Sequence, residues 1–152
     1  MRRAAPVFAV VTVLVGVVLS GCAEDVPFRP LAAGECLPES SEVVGHREQA
    51  PPLVPCAEPH RYEVYATPTL DDLDSWPGQA VADEASKQLC YRRFESGTGH
   101  DPLTLPDGVD VLTIGPSESG FEQQGDRRVE CLVVLPDDRS GSFIEPIETD
   151  QT

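Results

Sequence analysis

"TLDDLDSWPGQAVADEASKQLCYRRF", residues 69–94, decides the fold. It holds the one convincing helix of the chain, with a cysteine on its apolar face. Val81, Ala85, Leu89, Cys90 and Phe94 recur at helical spacing and make that face. Asp74 or Ser75 can cap the start, with Pro77 in the first turn. Asp83 and Glu84 lie early while Arg92 and Arg93 lie late, which complements the helix dipole. Gly97 and Gly99 end the helix. Cys90 is placed to reach a strand beneath it.

Strands surround the helix in sequence. "RRVECLVVLP", 127–136, is the strongest, with Val129, Cys131, Val133 and Leu135 on one face. Cys131 can thus meet Cys90 between sheet and helix. "HRYEVYAT", 60–67, alternates as well: Tyr62, Val64 and Ala66 point one way, and Arg61, Glu63 and Tyr65 the other. "GVDVLTIGP", 108–116, reads as a third strand, and "GECLPE", 34–39, and "SEVVGH", 41–46, as short strands or a strand and turn. "EQAPPLVP", 48–55, "SESGFEQQGDR", 117–127, and "DDRSGS", 137–142, read as loops and a turn. "FIEPIETDQT", 143–152, offers a short edge strand and an acidic tail. The expected fold is α+β: a small antiparallel sheet packed against one main helix, with two disulfides.

The N-terminus sets the compartment. Met1-Arg2-Arg3 precedes a run without charge from Ala4 to Cys22. A short basic region followed by an apolar one is a secretion signal, although a run near 20 apolar residues is also compatible with a retained membrane anchor. The run closes on Leu19-Ser20-Gly21-Cys22, which resembles a bacterial lipobox: an aliphatic residue, two small residues and a cysteine. Residues 1–21 are therefore expected to be a lipoprotein signal peptide, with Cys22 as the lipidated first residue of the mature chain. Residues 22–33 are expected to be a tether, 34–145 the folded domain and 146–152 the acidic tail. Each buried lipid methylene contributes roughly 0.8 kcal/mol, and two or more chains anchor stably. The expected location is the extracytoplasmic face of the cell membrane.

Removing the signal leaves 131 residues, one ordinary domain. The signal carries two of the 11 basic residues and none of the 26 acidic ones, so the mature net charge is 9 − 26 = −17. A surface this acidic repels nucleic acid and anionic lipid, and nucleic-acid binding is excluded on that ground. Lysine occurs once, at Lys87, against ten arginines, a usage that fits a GC-rich genome.

With Cys22 lipidated, Cys36, Cys56, Cys90 and Cys131 remain, an even number in an extracytoplasmic chain, which is the pattern of two disulfides. Four cysteines allow three pairings. Cys36–Cys56 and Cys90–Cys131 are favoured because each then links neighbouring segments in sequence order. A zinc site wants four ligands with close pairs, and here only Cys56 and His60 are near each other. A nucleophile needs a free thiol, which an oxidising compartment opposes. No metal and no cofactor is expected. His60, after Pro59, is positioned to hydrogen-bond a neighbouring backbone carbonyl. Pro59 and His60, with the aromatic residues Tyr62 and Tyr65, form the candidate contact surface, against plain core packing of the aromatics.

"GECL", "VPCAEPHRYEVYA", "WPG", "LCYRRF" and "GDRRVECLVV" together resemble the septum formation family of actinobacterial envelope proteins. The matching residues are Gly34, Cys36, Val54, Cys56, Pro59, His60, Glu63, Val64, Cys90, Gly125, Arg127, Val129 and Cys131. Glu35 stands where the family usually has aspartate. The resemblance implies an extracytoplasmic, membrane-attached domain linked to cell division, and it brings no catalytic residues.

The expected function is a non-enzymatic binding or scaffold module, held at the membrane through the lipid on Cys22, with an envelope or division protein as partner. One alternative is an envelope hydrolase, for which Asp71, Asp72 and Asp74 offer carboxylates without a readable separation. The other is a cation or ligand sensor, although "LDDLDS" lacks the order of a calcium loop.

Overall fold

The computed structural model describes residues 30–39 and 52–144. The signal, the lipobox with Cys22, "SEVVGH" and the acidic tail lie outside the described residues. Element order is β1 (Cys36–Leu37), β2 (His60–Ala66), α1 (Gln79–Thr98), β3 (Asp110–Ile114), α2 (Glu118–Gln124) and β4 (Glu130–Arg139). The strands form one antiparallel sheet in the order β1-β2-β4-β3. The expected α+β architecture is present.

β4 occupies a central position because both its faces are apolar. Val129 leads into the strand, and with Cys131, Val133 and Leu135 it faces α1 in a core with Tyr65, Leu70, Cys90, Phe94 and Phe143. Leu132 points to the other face and packs with Leu31, Leu37 and Val64. Leu31 thus belongs to the fold, and its N–H donates to Glu130 Oε1 at 3.1 Å. The fold therefore includes at least Leu31, a residue of the expected tether.

β4 also runs on through Asp137, Asp138 and Arg139, which read as a turn. Pro136 has no N–H to donate, and it falls where the register with β2 shifts, between the pairs Tyr62↔Val134 and His60↔Arg139. A second shift lies between Val64 and Ala66. It turns Ala66 to the helix side, away from the face it was expected to share with Tyr62 and Val64.

The helix starts later than the capping residues suggested. Gly78, at φ 92°, is the N-cap and offers no side chain, so Asp74 and Ser75 do not cap it. Asp83 and Glu84 then fall beyond the first turn, and Arg92 and Arg93 before the last, so neither pair sits at a helix end. Gly99 closes the helix in the left-handed conformation.

The buried stripe is Ala82, Ser86, Cys90, Phe94 and Thr98, a strict four-residue repeat. Val81, expected inside, is 54% exposed. Two hydroxyls lie on the buried stripe because each is satisfied within the helix: Ser86 Oγ donates to Ala82 O at 2.7 Å, and Thr98 Oγ1 to Phe94 O at 2.8 Å. Two glycines let the helix come close. A Cβ on Gly97 would lie 2.7 Å from Tyr65 O, and one on Gly115 would lie 2.7 Å from Ser86 Oγ. α1 therefore crosses the sheet from the end of β3 to β2.

Residues 117–127, read as a loop, contain α2. Ser117 Oγ accepts from Gly120 N at 3.1 Å, Phe121 buries its ring, and Gly125 ends the helix in the left-handed region. The Arg127 guanidinium lies 3.6 Å over the Phe121 ring, and Trp76 packs on the same ring at 5.5 Å.

Two disulfides close the fold. Cys36–Cys56 joins β1 to the loop before β2, with Cα atoms 5.3 Å apart. Cys90–Cys131 joins α1 to β4, with Cα atoms 5.4 Å apart. Both pairs are the sequence-order pairs.

Candidate functional site

The stretch around Pro59, His60 and Tyr65 does not form a contact surface. Pro59 is exposed, but His60 and Tyr65 are buried. Tyr65 points toward α1, where its ring meets Phe94 edge-on at 5.2 Å and its hydroxyl donates to Cys90 O at 3.0 Å. Burial pushes the Tyr65 phenol well above its ordinary value.

His60 sits at the start of β2 beneath the C-terminal segment. Its Nδ1 lies 2.9 Å from Glu58 O, the backbone partner expected from the sequence. That contact makes Nδ1 the protonated nitrogen and turns Nε2 toward the Glu63 carboxylate, 3.7 Å from Oε2. Glu63 is itself engaged: it accepts from the Ser142 hydroxyl and, at 2.7 Å, from Phe143 N–H. Phe143 is also gripped from α1's end, where His100 stacks on its ring at 4.4 Å and His100 Nε2 meets Phe143 O at 3.0 Å.

Cys36, His60 and Glu63 bring potential ligand atoms within 4.8 Å of one another. The Cys36 sulfur is bonded to Cys56, so it presents no thiolate. Glu63 is committed to residues 142 and 143. The cluster is best understood as a latch that fixes the C-terminal segment to β2. Glu63 satisfies its carboxylate on that segment, whereas the buried His60 Nε2 has no hydrogen-bond partner among the described residues.

A different feature opens to solvent. Between α1 and β3 lies a groove of about 640 Å³ lined by Glu84, Lys87, Gln88, Tyr91, Arg92, Val111, Leu112 and Thr113. Its lining is mostly apolar, and Tyr91 contributes a ring that is 58% exposed. Glu84 Oε1 accepts from Gln88 Nε2 at 2.9 Å. Lys87 and Arg92 have no ion-pair partner among the described residues.

One wall of this groove is a sheet edge with no strand partner among the described residues. β3 pairs only with β4 among the described strands. The register tells which backbone groups face outward. Val64 N–H donates to Glu35 O and Val64 O accepts from Gly34 N–H, so Val64 directs its groups toward β1. Its partner Leu132 must then direct its own toward Leu112, and alternation leaves Val111 and Thr113 facing away from β4. Val111 N–H indeed donates to the Asp110 side chain, at 2.7 Å, rather than to the ladder.

Helical spacing puts 84, 87, 88, 91 and 92 on one side of α1, so the lining residues share a signal legible in the sequence. What the sequence does not show is that this side overlooks an open strand edge. Asp71, Asp72 and Asp74 are not brought into the groove or into the buried cluster.

Comparison with protein-family models, with curated proteins and with solved structures finds no match to this chain. The resemblance to the septum formation family rests on the residue pattern alone.

Proposed function

We propose that this chain is an extracytoplasmic lipoprotein, tethered through Cys22, whose folded domain is a non-enzymatic binding module of the cell envelope. One observation carries the module reading: an apolar groove bordered by a strand edge that has no partner among the described residues, on a domain stapled by two disulfides. Concave, mostly apolar surfaces with a few fixed polar groups are where proteins take ligands. A stapled scaffold holds such a surface in shape at little ordering cost on binding. The lipid keeps the module at the membrane, and its charge, −15 over the whole chain, favours stand-off from anionic headgroups. The partner implied by the family resemblance is an envelope or division protein.

The test is the position of a fluorescently tagged full-length protein in dividing cells, beside a Cys22→Ala variant. Enrichment at the septum that disappears with Cys22→Ala is the expected result. A parent protein that takes up no labelled palmitate overturns the lipid tether; membrane retention of Cys22→Ala does not, because its uncleaved apolar run can itself hold it there. A uniform signal for the parent protein overturns the division link and leaves a general envelope module.

A further inference from the structure

We infer that the groove between α1 and β3 binds an extended peptide segment of a partner protein, which adds a strand to β3 and places a carboxylate against Lys87 and Arg92. This inference rests on the binding-module reading and assigns its site, its mode and the chemistry of its ligand.

The first argument is the backbone. Val111 and Thr113 each direct an N–H and a C=O away from β4, so two residues offer a full repeat of strand pairing. Exposed edges are normally blunted by charge, proline or bulges. Here the blunting is a single reversible contact, the Asp110 carboxylate on Val111 N–H. An incoming peptide carbonyl replaces that carboxylate without disturbing the ladder to β4.

The second argument is the surface beside the edge. Val111 and Thr113 direct their side chains to the α1 side, where Tyr91 faces them across the groove. A strand laid along β3 would direct alternate side chains into that space, so apolar residues at every second position fit it.

The third argument is charge. The chain is strongly acidic, at −15, yet the groove holds its only lysine and an arginine. Neither has an ion-pair partner among the described residues, and Glu84, the one carboxylate of the lining, accepts from Gln88. Two cations against one carboxylate leave the lining net positive, which favours a peptide with an acidic side chain or a free carboxyl end. The same net charge disfavours a second copy of this chain pairing through its own β3, since two acidic molecules repel.

The test uses the full-length protein in detergent micelles and a phage-displayed library of heptapeptides with free carboxyl ends. The selected peptides are expected to alternate apolar residues and to carry a carboxylate. Their binding is expected to shift the amide resonances of residues 110–114 and 84–92. Lys87→Glu with Arg92→Glu should weaken that binding at least tenfold. Thr113→Pro should abolish it while leaving the fold intact, because the lost N–H faces away from β4. Asp110→Ala should strengthen it severalfold by freeing Val111 N–H. A strengthening of that kind is not what a merely structural aspartate would produce.

Three results overturn the inference: no peptide selected, peptides whose binding ignores Thr113→Pro, or a stable dimer that Thr113→Pro dissolves. Its failure is separable from failure of the module reading. If Thr113→Pro protein still reaches its lipid-dependent location and still cross-links to an envelope protein there, strand addition falls and the module stands.

Discussion

Tyr65 carries two jobs in one side chain, and its titration exposes them. The ring packs on Phe94, and the hydroxyl reaches the Cys90 carbonyl. Burial raises its folded pKa, so the neutral form is favoured in the native state. The stabilisation is then fully present below the unfolded value, about pH 10, and is lost as pH rises from there through the higher folded value. Urea unfolding followed from pH 8 to pH 11 should show stability falling above about pH 10. Tyr65→Phe should lower stability at pH 8 by about 1 kcal/mol, because Cys90 O keeps its place in the helix ladder. The same variant should lose less on the alkaline side, having one fewer group to ionise. An unchanged alkaline slope would count against the burial. The sequence placed Tyr65 on the strand face opposite Val64, which is where it lies. It did not show that this face looks into the core, because alternation gives two faces without saying which one the helix covers. His60 illustrates the same limit. Its backbone partner was legible from Pro59 and the strand start, whereas Ser142 and Phe143 come to Glu63 from about 80 residues away.

At the scale of elements, α1 is held by what is missing from its surface. Gly97 lies in the last turn, where alanine would ordinarily stabilise a helix by roughly 0.5–1 kcal/mol. Here the added Cβ meets the Tyr65 backbone carbonyl at 2.7 Å, and a carbonyl in a sheet cannot step aside. Overpacking of this kind costs roughly 1–3 kcal/mol, so the clash wins. Gly97→Ala should lower the denaturation midpoint, whereas Val81→Ala, on the exposed side, should stay within about 0.5 kcal/mol. The opposite ranking would restore Val81 to the apolar face that spacing alone suggested. Helical spacing located the helix but set its face about one position away. Ser86 and Thr98 looked polar, and the turn they bond to inside their own helix is what makes them core residues. α2 was missed for a related reason: "SESGFEQQG" is polar and rich in glycine, and its one buried ring is anchored by Arg127 and Trp76 from outside the helix.

Over the whole molecule, the two disulfides divide the fold into unequal parts. Cys90 and Cys131 are both fully buried between α1 and β4, whereas Cys56 is partly exposed at the rim of β1. Thiol–disulfide exchange requires access of a thiolate to a sulfur. Graded dithiothreitol under native conditions, followed by alkylation and mass spectrometry, should open Cys36–Cys56 first. Cys90–Cys131 should resist until the protein unfolds. Simultaneous opening of both would contradict the difference in burial. Each bridge should stabilise the fold by roughly 3–4 kcal/mol in the chain-entropy model.

The sequence by itself determined the fold class and the strand and helix that meet at Cys90 and Cys131. It also indicated two disulfides and favoured the sequence-order pairing, which the structure shows. These depend on local patterns: alternation, helical spacing, and an even set of cysteines once Cys22 is set aside. The tertiary structure alone decided that His60 and Tyr65 lie inside, that Leu31 joins the core, and that the open edge of β3 faces Lys87, Tyr91 and Arg92. Such facts depend on strand order and register, which bring distant residues together, and no local pattern encodes a neighbour that is close only after folding.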